Sequence, residues 1–231
     1  MENLFLHYMH ERARREEENS ERELGPVITI SRQYGCYGGE IANLLATKIN
    51  EKNKLKGERE EWVFISHQVL HDASESLEAK PDEISHIFGA EEKSIFGDLV
   101  SLFSKDKYLS DTQIKRTIAQ IVRSYSEQGN AIIVGRAGCV IAKHITRSVH
   151  VKLMAPLCWR ANVIKNRFKL TSNEAMERVK ETDKRRETFM DFFRGNRPDS
   201  EIFDIILNRS TLSTEEIVDF IYRIGQDKGL Y

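Results

Sequence analysis

Val27-Ile28-Thr29-Ile30-Ser31-Arg32-Gln33-Tyr34-Gly35-Cys36-Tyr37-Gly38-Gly39-Glu40-Ile41 is the stretch on which the reading of this chain turns. Val27 to Ile30 is a short β-branched run of the kind that forms a buried strand. Ser31 to Gly39 is a glycine-rich loop, and beyond it Ile41, Leu44, Leu45, Lys48 and Ile49 recur at helical spacing. The unit is therefore strand, loop, helix. Such a loop aims backbone N–H groups and the positive end of a helix dipole at one point, which makes an anion cradle whose natural guest is phosphate. A tight strand-to-helix turn accounts for the glycines as well, so both readings stand at the level of this segment. The spacing is not the GxGxxG of a dinucleotide site.

Outward from this unit, strands and helices alternate. Trp62-Val63-Phe64-Ile65 reads as a second strand, followed by a helix from about Gln68 to Leu77. Residues 82 to 110 are irregularly apolar and read as short packed helices. Ile114, Ile118, Ile121, Val122 and Tyr125 mark an amphipathic helix ended by Gly129, and Ala131-Ile132-Ile133-Val134 follows as a third strand stopping at Gly135-Arg136. Val149 to Met154 is a fourth strand, 157 to 168 a helix, and 172 to 193 one long or broken charged helix. Phe203 to Leu207 is a fifth strand, and 213 to 224 a closing helix that begins at Ser213 with Glu216 three residues on. This order predicts a parallel sheet covered by helices on both faces, with any ligand beyond the carboxyl ends of the strands.

Composition narrows the function classes. The 231 residues suffice for a sizeable core, and 35 Lys and Arg against 36 Asp and Glu leave a net charge of −1, which disfavours a surface made for nucleic acid. That balance hides an asymmetry. Glu11 to Glu23 has six acids against four arginines, whereas Val179 to Arg197 has six Lys and Arg against four acids. No apolar run of about 18 residues exists to cross a membrane. Residues 1–24 read as an amphipathic helical appendage, packed on the main domain (25–231) or on a second subunit as a homodimer contact. Three widely spaced cysteines, Cys36, Cys139 and Cys158, offer no disulfide framework, so a reduced, cytoplasmic protein is expected. Cys36 sits near a helix N-terminus, where a thiol pKa falls, but no His partner accompanies it. His67 and His71 are four apart without a third ligand at suitable spacing, so they read as surface histidines, and no metal site is expected from protein side chains.

Val27-Ile28-Thr29-Ile30-Ser31-Arg32-Gln33-Tyr34-Gly35 with Gly38-Gly39-Glu40-Ile41, then Ile132-Ile133-Val134-Gly135-Arg136, then Thr182-Asp183-Lys184-Arg185-Arg186 occur in an order that resembles the cytidylate kinase-like family of P-loop proteins. The resemblance runs from about residue 26 to 224. It implies a P-loop nucleoside monophosphate kinase fold: a three-layer α/β sandwich with a five-stranded parallel sheet, a monophosphate-binding segment after the second strand, and a helical lid near 178–200. It also implies transfer of a phosphoryl group from ATP, with magnesium, to a nucleoside monophosphate such as CMP or another small phosphate acceptor. In residues, it implies ATP contacts from Gly35, Cys36, Tyr37, Gly38, Gly39, Glu40 and Arg160. It implies substrate contacts from Arg136, Lys180, Asp183, Arg186 and Arg167, and catalytic charge from Arg32, Lys184 and Arg185. Arginines suit this work because a guanidinium grips phosphate through two parallel hydrogen bonds.

The chain also departs from that pattern. A full phosphate loop reads GxxxxGK[ST], with the lysine on the β- and γ-phosphates and the hydroxyl on magnesium; here Gly38 stands at the lysine and Gly39 at the hydroxyl position. The aspartate that follows Gly-Arg in cytidylate kinases is Ala137, a later carboxylate falls on Cys139, and the first lid arginine falls on Val179, with Lys180 beside it as a substitute. Two readings follow: a kinase in which another cation replaces the lysine, with Arg32 and Lys184 as candidates, or a nucleotide-binding module that has lost transfer chemistry.

Overall fold

Val27, Ile28, Thr29 and Ile30 are all buried because β1 (Val27–Arg32) lies at the centre of a sheet and is covered on both faces. The computed structural model describes residues 24–58, 60–66, 69, 72–73, 76–77 and 110–231. Within them β1 pairs in parallel with β3 (Ala131–Val134), Val27 opposite Ala131, and on its other side with β4 (Ser148–Met154), Val27 opposite Ser148. The edges are β2 (Val63–Ile65), paired with β3, and β5 (Ile205–Asn208), paired with β4, so the order is β2-β3-β1-β4-β5 with every pairing parallel. The described helices are α1 (Gly38–Lys56), α2 (Asp111–Gln128), α3 (Gly138–Ile141), α4 (Leu157–Phe168), α5 (Ser172–Arg194), α6 (Asp199–Ile202) and α7 (Thr214–Asp227).

Alternation of side chains along each strand divides the core into two layers. Val27 and Ile133 face Ile114, Ile118 and Ile121 of α2. Ile28, Ile30, Ile132 and Val134 face Ile41, Leu45 and Ile49 of α1 and Ile217 and Ile221 of α7. Each such side chain contributes about 1.5–3 kcal/mol by leaving water. The arrangement is the expected three-layer α/β sandwich with five parallel strands.

Element bounds are close to the sequence expectation, with β5 and α7 differing most. β5 starts at Ile205 instead of Phe203, because the Phe203 N–H closes α6 on the Asp199 carbonyl (2.9 Å) and its ring joins a small cluster with Cys139 and Ile202. The helix expected over 172–193 is a single unbroken α5, started by a capping box between Thr171 and Glu174. α7 carries the expected Ser213–Glu216 box and runs on to Asp227. The appendage up to residue 23, residues 78–109, His67 and His71 lie outside the described residues. Of the helix expected over 68–77, Val69, Asp72, Ala73 and Leu77 are described and are buried. Among the described residues no helix is long and apolar enough to cross a membrane.

The connection from β1 enters α1 on one face of the sheet, and that from β3 enters α3, whose Ile141 packs on the other. A crevice therefore opens at the carboxyl ends of β1 and β3, where this class of sheet binds ligands.

Candidate functional site

The loop after β1 is held from below by backbone bonds. Gln33 donates its N–H to the Leu153 carbonyl (3.0 Å), and its side-chain oxygen accepts the Ala155 N–H (3.1 Å), which ties the loop to the end of β4. Gly35 has φ +91°, and a Cβ there would lie 3.2 Å from both the Cβ and the carbonyl oxygen of Arg160, so both its conformation and its contact with α4 call for glycine. Tyr37, left-handed at φ 52°, precedes α1 and gives it no side-chain cap, whereas Ser110, Thr171 and Ser213 cap α2, α5 and α7. The first N–H groups of α1 thus open toward the crevice with the dipole's positive end. Glu40 is exposed in that first turn. Tyr37 turns its ring to Arg167, whose guanidinium carbon is 5.2 Å from the ring centre.

Arg32, the last residue of β1, crosses this loop. A Cβ on Gly38 would lie 3.1 Å from Cγ and 3.3 Å from Cδ of Arg32, and a Cβ on Gly135 would lie 2.1 Å from its Nη1. The side chain therefore runs over the first residue of α1 and lays its guanidinium on the glycine that ends β3. There the chain makes a left-handed turn: Gly135 (φ 75°), Arg136 (φ 53°) and Ala137 (φ 52°) in succession, closed by the Gly138 N–H on the Gly135 carbonyl at 2.9 Å. Each of the two non-glycine residues costs about 1–2 kcal/mol in this conformation. Local strain of this order gathers at ligand sites. Packing holds it in place, since Gly138 lies against Ile133 and Thr29, and Arg136 itself is buried.

Arg160 and Asp183 meet each other. Buried Arg160 donates Nε to the Ala155 carbonyl (2.9 Å) and Nη1 to the Tyr34 carbonyl (3.2 Å), and Nη1 is also ion-paired with Asp183. The second carboxylate oxygen of Asp183 accepts the Tyr34 N–H at 2.7 Å. The middle of α5 is thereby pinned to the loop. One turn on, Arg186 lies over the Tyr34 ring at 5.3 Å. Sequence spacing alone did not reveal Tyr34 as the hinge of this contact, because it acts largely through its backbone.

The structure does not bring every expected residue to the crevice. Lys184 and Arg185 are exposed, because α5 packs through Val179, Thr182, Arg186 and Phe189, which puts Lys184 on the opposite side. Lys180 is exposed and paired with Glu177 at 3.0 Å, while Val179 is fully buried beside Tyr34, Ala161 and Ile164. The apolar spacing from Val179 to Phe189 already carries this helical phase. Cys36 departs from the lowered pKa of a helix-start thiol: burial pushes it up to about 11, against the opposing pull of Arg160, Arg209 and Arg186. Arg209, just after β5, is spent on the Leu212 carbonyl (2.7 Å) and the Thr214 hydroxyl (2.6 Å) at the start of α7.

A strand-loop-helix unit with arginines from β1, β3 and a long helix around it is the arrangement the sequence motifs imply. The model of the cytidylate kinase-like family matches residues 27–211. The chain belongs to the cytidylate kinase-like family. Among curated relatives, a cytidylate kinase of Sulfolobus acidocaldarius is 27% identical over 137 residues, 58% of this chain and 73% of that one. Among solved structures, an uncharacterized protein from Eubacterium ventriosum superposes with a TM-score of 0.61 at 16% identity, over 87% of this chain and 98% of that one. A shikimate kinase from Bacteroides thetaiotaomicron gives a TM-score of 0.48 at 13% identity, over 87% and 98%. For this family member, the strand order and the loop after β1 give an α/β fold of the P-loop kinase type.

Proposed function

We propose that the chain transfers a phosphoryl group from ATP to a nucleoside monophosphate of the CMP type. The observation that carries this reading is that Arg32, the buried Arg136 and the uncapped start of α1 lie side by side at the carboxyl ends of β1 and β3. The archaeal relative named a cytidylate kinase supports the choice of CMP as the first acceptor to test. Phosphoryl transfer asks the protein for alignment and dispersed positive charge, with little covalent work. The phosphates of ATP are assigned to the loop after β1, where the start of α1 has no side-chain cap and a Cβ at Gly39 would meet only Phe64 among the described residues, at 3.7 Å. Arg136 grips the acceptor's phosphate, and Arg186 adds charge from the lid helix.

The loop fits a resident magnesium poorly. Gly39 brings no hydroxyl to the place where the GxxxxGK[ST] pattern has one, and among the described residues no three His, Cys, Asp or Glu side chains gather as a metal site. An ion carried by the nucleotide's own phosphates is compatible with this arrangement. The glycines at 38 and 39 also favour the second reading, a module that binds nucleotide without transferring phosphate. Incubating the purified chain with ATP, magnesium and a panel of CMP, dCMP, UMP, AMP and GMP separates the two. ADP above the no-acceptor control supports transfer; measurable ATP affinity without ADP for any acceptor selects the binding module.

A further inference from the structure

We infer that Arg32 carries the phosphate-binding charge that the GxxxxGK[ST] loop places on its lysine, so that cation and glycine have exchanged ends of the loop. The inference rests on the phosphotransferase reading and names the group that makes it workable.

With Gly38 at the lysine position of that pattern, its first glycine, six residues earlier, falls on Arg32. The glycine that normally opens the loop is thus an arginine, and the lysine that normally closes it is a glycine. In the folded chain these two positions meet. The Cβ, Cγ and Cδ atoms of Arg32 lie 3.1–3.4 Å from where a Cβ on Gly38 would stand, so a side chain at 38 presses on the stem of Arg32, which has to give by a few tenths of an ångström. At the other end, a Cβ on Gly135 would stand 2.1 Å from Nη1 and 3.0 Å from Cζ of Arg32. The side chain is threaded between two glycines, and each leaves the space that it fills. Its course runs from the end of β1 across the start of α1 to the end of β3, which brings a permanent positive charge to the mouth of the anion cradle, next to Arg136. A lysine rising from the first turn of α1 would deliver its charge to the same mouth.

The geometry fits Arg better than Lys at position 32. A planar guanidinium reaches the Gly135 backbone and offers five N–H donors in a fixed fork that matches a phosphate, where an ammonium offers a point charge. A purely bracing arginine would serve the loop equally well in that pose, so the test has to read phosphate binding and transfer as well as folding.

Four proteins are compared: wild type, Arg32→Ala, Gly38→Lys, and the double exchange Arg32→Gly with Gly38→Lys. Calorimetric titration with ATP and with inorganic tripolyphosphate is run beside the CMP assay, and thermal melts check that each variant folds. Arg32→Ala is expected to bind tripolyphosphate at least about tenfold more weakly and to lose about 10²–10³ in turnover, the scale of one charge-stabilising donor. Gly38→Lys alone is expected to fall as well, because its side chain meets Arg32. The double exchange is expected to recover tripolyphosphate affinity and turnover above both single variants, a coupling that independent sites would not show. Unchanged tripolyphosphate affinity in a folded Arg32→Ala protein overturns the inference. So does a folded double variant no better than either single one. If the wild type binds tripolyphosphate through Arg32 yet makes no ADP with any acceptor, the transfer reading fails while the assignment of Arg32 as the phosphate charge stands.

Discussion

Asp183, in the middle of α5, and Arg160, buried in the first turn of α4, form an ion pair whose carboxylate also accepts the Tyr34 N–H. A single acidic side chain thus joins the two helices to the loop after β1. Removing it leaves the Arg160 charge buried without its carboxylate. Asp183→Ala is therefore expected to lower stability by about 3 kcal/mol, the lower end for breaking a buried pair, because Asp183 itself is partly exposed. Asp183→Asn keeps an acceptor for Tyr34 and should lose less. Denaturant titrations of the three proteins measure the difference; equal stability of wild type and Asp183→Ala would remove the pinning role.

Arg136 is buried in the strained turn after β3, and under the proposed function it grips the acceptor's phosphate. Arg136→Ala is expected to weaken monophosphate binding by about 10- to 100-fold, the loss of a charge-assisted pair of hydrogen bonds. Arg136→Lys should recover only part of it, since an ammonium lacks the two-pronged geometry. Titration with CMP reads the effect, and wild-type affinity in the alanine variant would place the acceptor elsewhere.

His150, in the middle of β4, is buried against the Thr29 hydroxyl (2.8 Å) and the Ser148 hydroxyl (3.3 Å). Burial pulls its pKa from 6.5 to about 4; Asp204 opposes this, and Lys143 and Lys228 add to it. Above pH 6.5 both folded and unfolded chains carry a neutral imidazole. As pH falls from there toward 4, the unfolded chain takes up a proton that the folded one refuses, so stability declines by up to about 3 kcal/mol over that window. Asp204 is held below its ordinary range despite burial, by the His150 N–H and by Lys228, so its own contribution is lost at still lower pH. Unfolding midpoints at pH 7 and pH 4.5 are expected to differ less for His150→Asn than for wild type; equal differences would refute this source.

The three cysteines should separate by burial. Burial pushes Cys36 up to about 11 and Cys139 up to about 12, and both are shielded, while Cys158 is exposed. A thiol reagent at pH 7.5 is expected to label one equivalent quickly in the folded chain and the other two only on unfolding. A second fast equivalent would show that the loop opens around Cys36.

Much of this is legible in the sequence. Ile132-Ile133-Val134 is continuous and apolar because β3 is covered on both faces, and Ser213 with Glu216 marked the start of α7 because capping is a local interaction. α3 and α6 were missed, since helices of four residues are too short to show a period. Among the charges of α5, the family resemblance implied Lys184 and Arg185, whereas the spacing of Val179, Thr182, Arg186 and Phe189 turns Lys184 to the outer side.

The sequence by itself determined the order of strands and helices, the family motifs and the crevice at which they converge, because strand burial, helical period and turn chemistry are properties of neighbouring residues. Tertiary structure decided which charges act together. Arg160 with Asp183 lies 23 residues apart, and Arg32 with Gly135 spans more than a hundred, so only the packing of α4, α5 and β3 around one loop could bring them into contact. The glycine at 38, which in the linear pattern looked like the loss of a lysine, is in the folded chain the space through which Arg32 passes.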